Sequence, residues 1–176
     1  GYFNELAYDQ SNFTEMTYNI YIRTVLKDVK AKKDSLKKVE GQENLKKGNA
    51  FLKENAKKEG VVSLDNGLQY KILEEGNGAK PEKNDRIRCM YEGRLIDGTV
   101  FDSTMEREDT ATLRLTNMIK GWQQTLPKMP EGSKWRLFIP PSHAYGPNGA
   151  GDKIGPNETI IFDVKLIEVL GKDSES

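Results

Sequence analysis

Hydrophobic positions follow two different rhythms along the chain. From Ser11 to Lys58 there is no proline, and Lys, Glu, Leu and Ala dominate, which predicts one long helix or two in series. Its apolar residues crowd toward the start: Phe13, Met16, Tyr18, Ile20, Tyr21, Ile22, Val25, Leu26 and Val29, against mainly Leu36, Val39 and Leu45 over residues 30 to 49. Gly41 and Gly48 each cost about 1 kcal/mol relative to alanine inside a helix, so a break or bend is expected between them. A helix this polar elsewhere needs outside support. Its early stripe is expected either to pack on the rest of the chain or to pair with a second copy. In "ENAKKEGVVSL", Lys57 and Lys58 suit a last turn and Gly60 a left-handed cap, so the helical segment is placed at residues 1–60 and a second unit at 61–176.

After residue 60 the rhythm changes to short β-branched and aromatic runs separated by Gly, Pro and Asn: "GLQYKILEEGNG", "DRIRCMYEGRLI", "SKWRLFIP" and "ETIIFDVKLIEVL". These read as strands. Only "NMIKGWQQTL" reads as a short helix, stopped by Pro127 and Pro130. The predicted fold is therefore α+β, an antiparallel twisted sheet wrapped around one short helix and preceded by a long helical segment.

Within 86–95, Ile87, Cys89, Tyr91 and Leu95 alternate with Arg86, Arg88, Glu92 and Arg94, which turns the odd positions, Tyr91 included, toward the core. A three-residue loop, Ile96-Asp97-Gly98, with Gly98 left-handed, would set Phe101 opposite Gly93 on that same face. Trp122 on the short helix, Tyr145 in "HAYGPNGAG" and Phe162 in the final strand supply further aromatics. With Met118, Ile119, Leu113 and Ile154 they either line one concave apolar site or simply fill the core.

Composition narrows the chemistry. Lys plus Arg number 27 and Asp plus Glu 27, so no excess charge favours nucleic acid or an anionic membrane. No apolar run reaches the length of a membrane span. Cys89 stands alone and is expected to be a small buried hydrophobe. One histidine, His143, and no Ser-His elbow argue against nucleophilic hydrolysis. Asp102 has neither histidines nor patterned carboxylates around it, and the glycine-rich loops match no phosphate fingerprint, so no metal and no cofactor is expected. The opening Gly1-Tyr2 hints at a natural start farther upstream.

"GLQYKILEEGNG", "YEGRLIDGTVFDST", "IKGW", "GSKWRLFIPPSHAYG" and "GAGDKIGPNETIIFDVKLIEV" resemble, in order and spacing, the FKBP-type peptidyl-prolyl cis-trans isomerases over roughly residues 61 to 170. "FLKENAKKEGV" looks like the linker of the bacterial macrophage infectivity potentiator subgroup, in which an N-terminal helical segment dimerises. The resemblance implies a pocket of Tyr91, Phe101, Asp102, Trp122, Tyr145 and Phe162, completed by Met118, Ile119, Ile154, Leu113 and Ala111. Trp122 would floor the proline ring, the Ile119 amide and Tyr145 hydroxyl would hold substrate carbonyls, and Asp102 would accept a hydrogen bond at the pocket wall. It also implies proline-containing peptides and unfolded proteins as partners, macrolide inhibitors, a homodimer and, weakly, the bacterial envelope. A holdase that binds proline segments without turnover is the alternative. Met90, Ala111, Ile154-Gly155-Pro156 and Pro127 depart from the usual family pattern.

Overall fold

The computed structural model describes the backbone of residues 2–171 and the side chains from Thr14 onward. The side chain of Phe13, counted in the early apolar stripe, and the whole of Gly1 lie outside what is described. By contacts the chain separates into two units, Gly1–Val39 and Glu40–Ser176.

Helix α1 spans Tyr2–Asn55. In the first unit its described apolar side chains, apart from the half-buried Ile22, are turned to solvent, with Met16, Tyr18, Tyr21, Leu26 and Leu36 each more than 60% exposed. The expected break at Gly41 and Gly48 does not occur. Both glycines stay helical because they are contact points within the second unit. A Cβ on Gly41 would lie 3.1 Å from Asn157 Nδ2, and one on Gly48 would press into the Thr159 hydroxyl, with Thr159 Cβ at 3.1 Å. The helix stops at Asn55, earlier than the expected Gly60 cap. Gly60 does have a left-handed φ of 78°, used in the turn that feeds the first strand.

Among the described residues, seven strands make one antiparallel sheet: β1 (Val61–Ser63), β2 (Gln69–Glu74), β3 (Arg86–Leu95), β4 (Val100–Ser103), β5 (Ala111–Arg114), β6 (Lys134–Ile139) and β7 (Ile160–Gly171), in the order β1-β2-β6-β7-β3-β4 with β5 also beside β3. The alternation foreseen in β3 is present: Ile87, Cys89, Gly93 and Leu95 are buried. Helix α2 (Lys120–Thr125) lies against the inner face and buries Trp122 and Thr125. Pro127 ends it, and the chain continues as a 3-10 turn over Leu126–Lys128.

The central strand β7 is buried on both faces. Ile160, Phe162, Val164 and Leu166 enter the main core, while Ile161 joins Phe138 and Leu52 on the other side under the end of α1. Covering a side chain of that size removes enough apolar surface to contribute about 1.5–3 kcal/mol. Polar contacts fix the seam. Asn55 donates to the Gln69 side chain at 2.9 Å, Gln69 donates to the Leu52 carbonyl at 2.8 Å, and Asn44 donates to the Pro156 carbonyl at 3.0 Å.

Candidate functional site: an aromatic cup on the inner face of the sheet

The cup begins with a local backbone irregularity. Gly98 has φ 93°, Gly98 N–H bonds the Leu95 carbonyl at 3.0 Å, and Leu95 N–H bonds the Thr99 carbonyl at 2.9 Å, so the three-residue loop forms as expected. The strands then slip. Arg94 pairs with Val100 but Gly93 with Asp102, leaving Phe101 as the extra residue of a β-bulge. The expected Phe101–Gly93 register is thus replaced by Asp102–Gly93. Phe101 still covers Gly93 with its ring: a Cβ there would lie 2.5 Å from Phe101 Cζ and 2.6 Å from Phe162 Cε1. Successive strand residues normally face opposite ways. The bulge re-aims the pair, so the Phe101 ring and the Asp102 carboxylate serve the same site.

Four more rings meet there. Trp122 and Phe162 are edge to face with centroids 5.2 Å apart, Phe101 and Phe162 at 5.6 Å, Tyr91 and Trp122 at 5.5 Å, Tyr91 and Phe162 at 6.1 Å, and Phe101 and Tyr145 at 6.4 Å. Trp122, 1% exposed, is the deepest, whereas Tyr91, Phe101 and Tyr145 are only partly buried. These separations and tilts are those at which ring edges attract ring faces. Met118, Ile119, Leu113 and Ile154 pack on the same core. Ala111 lies in β5 opposite Cys89 and is not among the residues packed on that core.

The polar groups have clear roles in hydrogen bonding. Tyr91 donates its hydroxyl proton to Asp102 Oδ2 at 2.6 Å, and Arg107 approaches the other carboxylate oxygen at 3.9 Å. Burial, then the hydrogen bond to Asp102 and the negative charge it carries, push the Tyr91 hydroxyl well above its ordinary pKa. Burial and then Asp102 raise Tyr145 as well. Both phenols therefore stay protonated donors at neutral pH. The Tyr145 hydroxyl makes no hydrogen bond among the described residues. Ile119 occupies the N-cap of α2, so its N–H lies outside the helical ladder. The Trp122 indole N–H is buried without a hydrogen-bond partner among the described residues.

Three supporting residues were not anticipated. Thr104 accepts from the Tyr91 N–H at 2.9 Å, Gln123 donates to the Met118 carbonyl at 2.6 Å, and Arg107 faces Asp102. Only Thr104 left a signal in the sequence, as a hydroxyl closing the "FDST" run. Among the described residues no group of three or more His, Cys, Asp or Glu could hold a metal ion. No described helix is long and apolar enough to cross a membrane.

Comparison with known proteins locates the same architecture elsewhere. A family model described as FKBP-type peptidyl-prolyl cis-trans isomerase matches residues 77–167, and one described as the domain amino terminal to it matches residues 4–72. The chain is 49% identical over 143 residues to the outer membrane protein MIP of Legionella longbeachae, covering 81% of this chain and 61% of that relative. It is 43% identical over 149 residues to the FKBP-type 22 kDa peptidyl-prolyl cis-trans isomerase of Escherichia coli, covering 85% and 72%. The crystal structure of FkpA from Escherichia coli superposes with a TM-score of 0.81 at 34% identity, covering 85% of this chain and 70% of that one. The chain thus spans less than two thirds of the Legionella relative's length.

Proposed function

Because the chain belongs to the family of FKBP-type peptidyl-prolyl cis-trans isomerases, we propose that the aromatic cup accelerates rotation about Xaa-Pro bonds in peptides and unfolded proteins. The supporting observation is the convergence of Tyr91, Phe101, Tyr145 and Phe162 around the Trp122 floor, with Asp102 engaged by Tyr91 as a hydrogen-bond acceptor. Such a site has no nucleophile and base pair to offer. It needs none. Rotation breaks amide resonance, a barrier of about 18–20 kcal/mol, with no covalent step. The planar amide is the more polar form, so an apolar cup favours the twisted one, and the Ile119 N–H and Tyr145 O–H hold the carbonyls as they turn. Trp122 receives the proline ring; Met118 and Ile154 line the approach. Macrolide inhibitors of the family would compete for the same floor.

The decisive assay is cis-to-trans isomerisation of an Xaa-Pro peptide. Acceleration is expected, lost in Trp122→Ala; a rate equal to the uncatalysed blank overturns the proposal.

The exposed stripe on α1 favours a companion role. Met16, Ile20, Leu26 and Val29 present apolar surface in the first unit. We infer that the N-terminal helical segment, expected at residues 1–60, joins two copies and supports a holdase activity on client chains. Because Leu52 belongs to the core under α1, the informative truncation removes residues 1–39 and keeps 40–176. It is expected to yield a monomer by light scattering, to abolish suppression of aggregation and to leave peptide isomerisation intact. A full chain that is monomeric at high concentration removes the dimer. A place in the bacterial envelope is the favoured compartment, on the printed description of the Legionella relative.

A further inference from the structure

A second cavity, of about 230 Å³, opens on the opposite face of the sheet, between the end of α1 and strands β2, β6 and β7. Phe51, Phe138 and Ile161 make its floor, four cations (Lys58, Lys71, Arg94 and Arg136) line it, and among the described residues no carboxylate does. Two of the cations are already engaged. Arg136 holds Asp163 through Nε at 2.7 Å and Nη2 at 2.8 Å, and Arg94 reaches Glu92 at 3.2 Å and Asp163 at 3.5 Å. Lys58 lies over the Phe51 ring at 5.8 Å, a cation–π position at the rim. Lys71 stands opposite Arg136 in the ladder between β2 and β6, but Arg136 is compensated by Asp163, and neither Lys58 nor Lys71 has a carboxylate partner among the described residues. An anion placed between Lys58 and Lys71 would supply the missing counter-charge.

We propose that this cavity binds a small amphipathic carboxylate, an aryl- or alkyl-substituted alkanoate. Its apolar end lies on Phe138 and Ile161, and its carboxylate accepts from Lys71 and Lys58. The volume equals about eight waters at roughly 30 Å³ each, the size of a single ring with a short acidic tail. A bare phosphate would leave the floor uncovered, and a neutral hydrophobe would leave Lys58 and Lys71 without a counter-charge. This site is separate from the aromatic cup and does not rest on the proposed isomerase activity.

The test is a titration of the full chain with 3-phenylpropionate, read by amide chemical shifts, with 3-phenylpropan-1-ol and inorganic phosphate as comparators. The acid is expected to shift amides at Lys58, Lys71 and Phe138. The alcohol and phosphate are expected to bind about fivefold more weakly or worse, and Lys71→Met to weaken the acid by about fivefold. Lys58→Met supplies an independent second loss, and Lys165→Met, whose lysine pairs with Glu74, is expected to change nothing. No binding, equal binding of acid and alcohol, an unchanged affinity in both lysine variants, or shifts confined to Tyr91 and Trp122 would overturn the proposal.

Discussion

Gly93→Ala tests the geometry of the cup through one methyl group. The new Cβ would lie 2.5 Å from Phe101 Cζ, 2.6 Å from Phe101 Cε2 and 2.6 Å from Phe162 Cε1, whereas carbon atoms prefer about 3.5–4.0 Å. Both rings must retreat by about 1 Å. The half-buried Phe101 can give way, whereas Phe162, 4% exposed and held by Trp122 and Tyr91, has little room, so its side of the clash stays as strain. Overpacking of this kind costs about 1–3 kcal/mol, and relief of glycine's backbone entropy returns about 0.5–1 kcal/mol, for a net loss near 1–2 kcal/mol. An error of about 1 Å in a positioning wall can lower turnover by up to about a hundredfold, so kcat/KM is expected to fall by at least about tenfold. Urea unfolding reads the first effect as a lower midpoint at constant slope, and peptide isomerisation reads the second. A variant with unchanged midpoint and unchanged kcat/KM would mean that Phe101 and Phe162 do not meet over Gly93.

Three further outcomes follow from the packing. Gly48→Ala is expected to destabilise by about 1–2 kcal/mol even though alanine is the better helix former, because the methyl collides with Thr159; a raised urea midpoint would refute that contact. Burial alone would raise the Asp163 carboxyl, but the hydrogen bonds and charge of Arg136, aided by Arg94, hold it below its ordinary value. Its stabilising contribution is therefore complete above the unfolded pKa of about 3.9 and lost as pH falls through the lower folded value, so Arg136→Met should lower stability at pH 7 by about 2 kcal/mol and flatten the acid limb; an unchanged dependence on pH contradicts this. Burial pushes the Cys89 thiol up to about 12, so thiol reagents at pH 8 should label it only at the rate of global opening, and rapid labelling in native buffer would show the core wrongly assigned.

The elements that could be read from the sequence are those whose signals are local. The period of two in β3 placed Ile87, Cys89 and Tyr91 on the inner face, and Asp97-Gly98 announced the turn. The bulge at Phe101 could not be read, because its residue carries no glycine or other turn chemistry; it arises from the fit between β3 and β4. Gly41 and Gly48 were misleading for a related reason. Their cost in helix propensity is visible in isolation, whereas the loop at 156–159 that requires their smallness lies more than a hundred residues away. The cationic cavity under α1 depends on side chains meeting across the fold, which no spacing rule encodes, whereas Arg107 reaches Asp102 locally, through the irregular turn that follows β4.

Strand β7 follows every other strand in the sequence yet lies between β6 and β3 at the middle of the sheet, pairing Ile87 with Val169 and Tyr91 with Val164. During synthesis the half built from β1, β2 and β6 and the half built from β3, β4 and β5 have nothing to join them until residues 160–171 emerge from the ribosome. A nascent chain that stalls before that point carries two open sheet edges and an unfinished cup, so the sheet is exposed to mispairing until its last strand is available.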